Sequence, residues 1–244
     1  MRNQIVILAA GKGTRMDRGD IPKVLVMLKN KPLILYILEQ IDRINQLAKP
    51  VIVVGYMADK VKAVLGSDYI YAFQDHQLGT AHALHCAKGK ISGENILVLY
   101  GDMPFINSDS LRQLMRLHHS KSAIISMFTT TIPSFEGKFS NLKHYGRIIR
   151  NFAGKITKIT EFKDASEKEK EIKELNPGIY MFNSAWLWDN IKKIKNKNAQ
   201  GEYYLTDIIE LAMQQGIEVN TLAINPQEVV GINSKLELET AEKI

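Results

Sequence analysis

"IVILAAGKGTRM", residues Ile5 to Met16, is an apolar run that ends in two alanines, two glycines, a lysine, a threonine and an arginine. An unbroken Ile/Val/Leu run without polar alternation is the pattern of a strand buried on both faces. Glycines and positive charge directly after such a strand point to a phosphate-binding turn. The P-loop pattern fails, because Gly13 is followed by Thr14 and Arg15 and the glycine required five residues before it is Leu8. The dinucleotide fingerprint fails too, because its third glycine position holds Met16. What remains is a strand ending in small residues, Ala9, Ala10 and Gly11, that let a base and ribose approach the backbone closely. The turn's N–H groups would face a triphosphate, and Arg15 would reach it with a planar fork of donors. A second cation, Lys23 of "PKVL", follows at short distance.

Outward from this strand, apolar runs of strand length alternate with helical patterns. The runs are Ile5–Ala10, Val51–Val54, Ile96–Tyr100 and Ala123–Phe128; the helical patterns are Pro32–Leu47, Ala58–Leu65, Gly79–Ala87 and Ser108–His119. Strand–helix alternation predicts a doubly wound, mostly parallel α/β sheet with helices on both faces. In the second half, residues 145–162 read as a hairpin around "NFAG", residues 164–174 as a solvated loop or short helix, and "LNPGIYMF" as one strand. Amphipathic helices are expected over 184–194 and 204–216, a short strand over 219–224 and a last helix from about Ser234. Without a linker or a repeat, residues 1–244 read as one domain with a smaller β-rich lobe.

The 244 residues are 45% hydrophobic and 24% charged, as in ordinary globular proteins. Cys86 is the only cysteine, which rules out an internal disulfide and suits a reducing compartment. The six-residue apolar run at the N-terminus is too short for an export signal, and no stretch approaches the roughly 18 apolar residues of a membrane span. A cytoplasmic protein without membrane contact is expected. The net charge of +6 is spread along the chain, and its densest run, Lys192–Asn198, lacks aromatics. Such a balance suits phosphorylated substrates better than nucleic acid.

"LVLYGDMPF" ends a buried strand at Tyr100, Gly101 and Asp102. In open α/β sheets the carboxyl ends of strands face the ligand crevice. Asp102 there either caps the next turn or, beside a triphosphate, serves as a Mg²⁺ ligand through its hard oxygen. "AHALHC" brings His82, His85 and Cys86 within one helix turn, but no further ligand set completes a metal site, so helix packing is the reading. His118 and His119 close a helix, where imidazole suits the dipole. Trp186 and Trp188 read as packing residues.

The motifs "LAAGKGTRM", "PKVL", "QLGTAHA", "LYGDMP", "YGRI", "EFKDA", "NPGIY", "GEYYLTDII" and "VGIN" occur in this order between residues 8 and 233. In this the chain resembles the uridyltransferase half of the bacterial GlmU-type N-acetylglucosamine-1-phosphate uridyltransferase family. The resemblance implies the nucleotide-diphospho-sugar transferase fold and formation of UDP-N-acetylglucosamine and pyrophosphate from UTP and N-acetylglucosamine 1-phosphate. It implies that Leu8, Ala9, Ala10, Gly11, Gln74, Gly79 and Thr80 surround uracil and ribose, and that Arg15 and Lys23 hold phosphates. It places Asp102 and Asn233 on Mg²⁺. Tyr100, Gly101, Gly146, Glu161 and Asn176 would line the sugar side, with Tyr204 and Thr206 nearby. The carboxamide of Gln74 offers a donor and an acceptor to a pyrimidine edge, and Glu161 with Asn176 could read the hydroxyl and acetamido pattern of a hexose. The sugar phosphate, largely dianionic at neutral pH, would itself attack the α-phosphorus.

The pattern departs from the family in places. The chain stops at Ile244 without the hexapeptide repeats that carry the family's acetyltransferase, so neither acetyl transfer nor the family's trimer is expected, and a monomer or weak homo-oligomer is. His144 precedes Tyr145 where a small residue is usual, residues 134–144 are longer and more polar, and Pro177 replaces a small polar residue. These leave open a different sugar phosphate or pyrimidine nucleotide. From another class, a non-catalytic nucleotide-sugar-binding regulator is the alternative, against which the joint presence of Arg15, Lys23, Asp102 and Asn233 speaks.

Overall fold

A computed structural model of the protein describes residues 2–13, 16, 21–45 and 47–243. In chain order the first half contains β1 (Asn3–Ala9), β2 (Met27–Leu28), β3 (Lys31–Pro32), α1 (Leu33–Asp42), β4 (Leu47–Val54), α2 (Ala58–Leu65), β5 (Ile70–Phe73), α3 (Thr80–Cys86), β6 (Asn95–Tyr100) and α4 (Ser108–Ser120). The second half contains β7 (Ile125–Thr131), β8 (Gly146–Arg150), β9 (Ile156–Thr160), α5 (Glu167–Lys170), β10 (Glu174–Asn176), β11 (Tyr180–Asn183), α6 (Ser184–Asn190), α7 (Asp207–Gln214), β12 (Val219–Ala223) and α8 (Lys235–Ala241).

The strands of the main sheet run β5-β4-β1-β6-β11-β7-β10-β8-β9, with β12 pairing β7, while β2 and β3 form a separate ribbon. β5, β4, β1 and β6 are parallel neighbours, as the alternation of runs and helices predicts. Both faces of this part are covered. Ile5, Ile7 and Ala9 of β1 pack with residues of α1, α2 and α4 on one side. Val6, Leu8 and Ala10 pack with α3, α6 and α7 on the other. Successive strand residues point to opposite faces, so the unbroken apolar run follows directly from two buried faces.

Several boundaries differ from the expected ones. The helix expected over Pro32–Leu47 ends at Asp42, where the Ile44 N–H turns back to the carbonyl of Ile41, 2.8 Å away. β4 then begins at Leu47, opposite Asn3 of β1, and tolerates Pro50 because the β1–β4 register shifts there. Proline, which has no N–H for a ladder, is found at such irregularities. β7 runs from Ile125 to Thr131 rather than 123–128. β11 inserts between β6 and β7, antiparallel to both. The β-rich lobe is the antiparallel group β10, β8 and β9.

"LNPGIYMF" is two strands, not one. Between β10 and β11, Gly178 takes φ +79°, a conformation that favours glycine. A Cβ at Gly178 would come within 2.7 Å of the Tyr100 ring. Gly66 has a similar φ of +74° but open space around it. Gly178→Ala is therefore expected to lower the melting temperature at least twice as far as Gly66→Ala, whose loss should be of the order of 1 kcal/mol. Equal losses, measured by thermal unfolding of the two variants, would mean that the Tyr100 contact imposes no constraint.

Candidate active site

A cavity of about 600 Å³ opens at the carboxyl ends of β1 and β6. Here the strand order turns, with β4 and β5 on one side of β1 and β6 on the other; such switch points are the ligand crevices of open α/β sheets. Leu8, Ala9, Ala10 and Gly11 from the end of β1 form one wall, with Gln74, Gly79 and Thr80 beside them. Tyr100 and Asp102 come from the end of β6, Gly146, Glu161 and Asn176 from the β-rich lobe, Lys23 from the 3₁₀ turn Lys23–Leu25, and Asn233 from the segment before α8. Fourteen of the residues singled out from sequence thus meet in one cavity.

Gly101 does not line it. A Cβ there would come within 2.8 Å of Val24 and 3.4 Å of Ala9, so its smallness serves packing beneath the floor. Tyr204 lines a smaller cavity of about 450 Å³, which shares Glu161 with the first. Thr206 is buried behind Glu161 at the start of α7. Arg15 lies outside the described residues.

The Lys23 ammonium donates to the carboxylate of Asp102 and, over 2.7 Å, to Oδ1 of Asn233. Segments 210 residues apart in sequence meet at this point. The loop carrying Asn233 is held by neighbours: the Ile232 N–H donates to the Asp102 carbonyl at 2.9 Å. The Tyr145 hydroxyl donates to the Val229 carbonyl at 2.6 Å and accepts from the Gly231 N–H at 3.1 Å. Glu237, in the first turn of α8, accepts from the Asn233 N–H. Two hard oxygens, from Asp102 and Asn233, therefore converge on one positive centre. Among the described residues there is no group of three or more His, Cys, Asp or Glu arranged around a metal position. A divalent ion on this oxygen pair would need substrate and water oxygens to fill its shell, which is how Mg²⁺ is usually held.

The "QLGTAHA" and "GEYYLTDII" motifs are two halves of one wall. The Tyr203 N–H donates to the Leu78 carbonyl at 2.8 Å, and the Ala81 N–H donates to the Tyr203 carbonyl at 2.9 Å. The Thr80 hydroxyl accepts from the Leu205 N–H at 2.9 Å. Gly79 sits where the two segments touch, with φ +112°, and a Cβ there would lie 2.6 Å from the Tyr203 carbonyl oxygen.

The polar side chains are more committed than their chemistry alone suggests. Gln74 is buried, and its amide nitrogen reaches the Gly79 carbonyl at 3.2 Å and His82 Nδ1 at 3.0 Å. Asn176 accepts from the Gly178 N–H at 3.0 Å and donates to the Tyr180 hydroxyl at 2.6 Å, so it fixes the β10–β11 turn. Its free capacity toward a ligand is accordingly smaller than that of an unconstrained amide.

Other expectations resolve as packing. Trp186 and Trp188 rest on the second core cluster. His118 is buried between Ser126, 3.0 Å from Nδ1, and Asn95, 3.2 Å from Nε2. Burial pushes its pKa down to about 4, so at neutral pH it carries no charge for the helix dipole to favour. The cavity also contains residues that the motifs do not single out. Asn141 Oδ1 is buried without a hydrogen-bond partner, and His144 stands edge-on to Phe162 with ring centroids 5.1 Å apart. Both belong to the 3₁₀ stretch Gly137–His144, which lies outside the ordered motifs and within the longer, more polar segment 134–144 that departs from the family pattern.

The chain has recognisable relatives. The description "MobA-like NTP transferase domain" matches residues 5–168. "Bifunctional protein GlmU" of Brevibacillus brevis is 40% identical over 97% of this chain and 50% of its own length. The protein of the same name from Caldicellulosiruptor saccharolyticus is 41% identical over 99% of this chain and 51% of its own. This chain thus spans about half the length of these curated relatives. Among solved structures, the inositol-1-phosphate CTP transferase from T. maritima superposes with a TM-score of 0.73 at 17% identity, covering 98% of this chain and 95% of that one, a likeness of fold.

Burial lifts the pKa of Glu161 to about 6, aided by Asp207 and Asp164 and opposed by the Thr206 hydroxyl, whose geometry falls short of a full hydrogen bond. A carboxyl whose folded-state pKa exceeds its unfolded value destabilises the fold once ionised. Glu161→Gln should therefore match the wild type in stability below about pH 4.5 and gain on it as pH rises to about 6, with a plateau above, of the order of 1–2 kcal/mol. Melting temperatures from pH 4 to 8 check this; a gap that is constant across the range would contradict it.

Proposed function

Since the chain belongs to the MobA-like NTP transferase family, we propose that it is a sugar-1-phosphate nucleotidyltransferase that joins UTP and N-acetylglucosamine 1-phosphate into UDP-N-acetylglucosamine and pyrophosphate. The observation that carries the reading is the meeting of Lys23, Asp102 and Asn233 at the crevice end of β1 and β6. The similarity of nearly the whole chain to half of the GlmU relatives supports the choice of substrates. The chemical difficulty is bringing two anions together, and in this reading Lys23 and Arg15 meet it by positioning and positive charge, without a protein nucleophile.

In this reading the base and ribose lie along Leu8–Gly11 and against Gln74, Gly79 and Thr80, with the phosphates near Lys23 and Arg15. A phosphate oxygen of the sugar 1-phosphate attacks the α-phosphorus of UTP while the bond to the pyrophosphate oxygen breaks. The nucleophile needs no general base, because its second pKa lies near 6. Lys23 and Arg15 orient the phosphates and stabilise charge as it grows on the leaving group. Mg²⁺, held by Asp102 and Asn233, would neutralise phosphate charge and draw the two reactants together. Glu161 in its carboxylate form would accept sugar hydroxyls, and the remaining N–H of Asn176 would donate.

Pyrophosphate release from UTP, N-acetylglucosamine 1-phosphate and Mg²⁺ tests the reading, and its absence across a panel of nucleotides and sugar phosphates would leave the regulator alternative standing. Lys23→Ala and Arg15→Ala should each lower kcat about 10²–10³-fold with smaller changes in the sugar KM. A rise in KM alone would contradict their roles. Asp102→Asn should lose activity to a similar degree while retaining its fold, and near-normal turnover in Mg²⁺ would refute the metal assignment. The sugar reading predicts a kcat/KM clearly higher for N-acetylglucosamine 1-phosphate than for the glucose and N-acetylgalactosamine analogues, because unpaired polar groups reject a ligand lacking their partner. Equal values for the three would mean another substrate.

A further inference from the structure

The Gln74 amide nitrogen has two protons, and the structure accounts for both. One faces the Gly79 carbonyl at 3.2 Å, which can only accept. That fixes which end of the amide points there, since the flipped amide would set oxygen against oxygen. The other faces His82 Nδ1 at 3.0 Å. Nδ1 must then be the unprotonated ring nitrogen, and the proton of a neutral imidazole resides on Nε2, 3.9 Å from the Cys86 sulfur. With both N–H groups committed, a ligand in the cavity meets Gln74 through its oxygen.

We propose that His82 is a positioning residue that locks the Gln74 amide with its oxygen toward the nucleotide base, so that the pocket selects a pyrimidine presenting a ring N–H. Uracil and thymine carry a proton on N3; cytosine carries a lone pair there, which an amide oxygen repels. This inference rests on the reading that Gln74 meets the base. It refines that reading, because Gln74 supplies only an acceptor, and the complementary donors to the base must come from backbone N–H groups. A side chain that holds its neighbour in one of two nearly isosteric orientations turns a permissive amide into a selective one, and an unpaired or mismatched polar contact in a closed pocket discriminates strongly.

The test uses His82→Leu, His82→Ala and His82→Asn in the full chain. Dissociation constants for UTP and CTP are measured by calorimetry, and kcat and KM for each with N-acetylglucosamine 1-phosphate. Asparagine can put an acceptor oxygen near the position of Nδ1, whereas leucine and alanine cannot. Leu and Ala variants should raise the KM and Kd for UTP with little change in kcat, and should lower the UTP-over-CTP preference about tenfold or more. The Asn variant should keep that preference within about threefold of the wild type. Thermal unfolding separates loss of fold from loss of selection, and the Ala and Asn variants keep the comparison available if leucine does not fit. An unchanged preference in folded Leu or Ala variants, or an Asn variant as unselective as they are, would overturn the proposal. Failure of the wild type to bind any nucleoside triphosphate would instead overturn the functional reading on which it rests.

Discussion

The Lys23 ammonium is the point on which the cavity depends. It joins the 3₁₀ turn Lys23–Leu25, the end of β6 and the loop before α8, and neither the ammonium nor the Asp102 carboxylate could be held so far from solvent alone. A buried pair of this kind is weak evidence for added stability, since desolvation offsets most of its attraction. What it does supply is position. With the Ile232 and Gly231 contacts to Asp102 and Tyr145, it keeps an oxygen of Asn233 beside the strand end. A cation held at low dielectric between two accepting oxygens prepares a place where negative charge from a substrate is favoured.

The rest of the cavity follows the same logic of remote segments closed on each other. The wall formed by residues 78–81 and 203–205 is a backbone ladder between stretches more than a hundred residues apart, and Gly79 is the residue that lets them touch. On the side of the β-rich lobe, Asn176 and Gly178 shape a turn against Tyr100, while Arg147, almost fully buried, donates to the Lys170 carbonyl and stands 4.7 Å from the Phe135 ring and 5.2 Å from the Phe162 ring. The side chains facing the cavity are thereby fixed before any ligand arrives, which limits the ordering needed on binding.

Much of this was legible in the sequence because it is local. The unbroken run of β1 reports two buried faces, the helical pattern Ser108–His119 finds α4, whose start the Asn107 side chain caps by accepting from the Asp109 N–H at 2.8 Å, and the ordered motifs mark the lining of the crevice. What was not legible depends on partners distant in the chain. β11 is read as a strand from its apolar residues, but its antiparallel place between β6 and β7 has no local signal. Leu47 reads as the end of a helix until β1 recruits it into β4. The amides of Gln74 and Asn176 appear as free donors and acceptors in sequence, and only the fold shows which of their atoms are already engaged. His118 looks like a helix-end cation and proves to be a buried neutral link between Ser126 and Asn95.

In the proposed reaction, positioning and charge would transfer the nucleotidyl group in one displacement, without a protein nucleophile. The stereochemical course at phosphorus measures this directly. One diastereomer of UTP bearing sulfur on the α-phosphate is turned over with the sugar phosphate, and the configuration of the product is assigned by phosphorus NMR. A single in-line attack by the sugar phosphate predicts inversion. Retention would require two displacements through a nucleotidyl-enzyme and would contradict a single direct transfer.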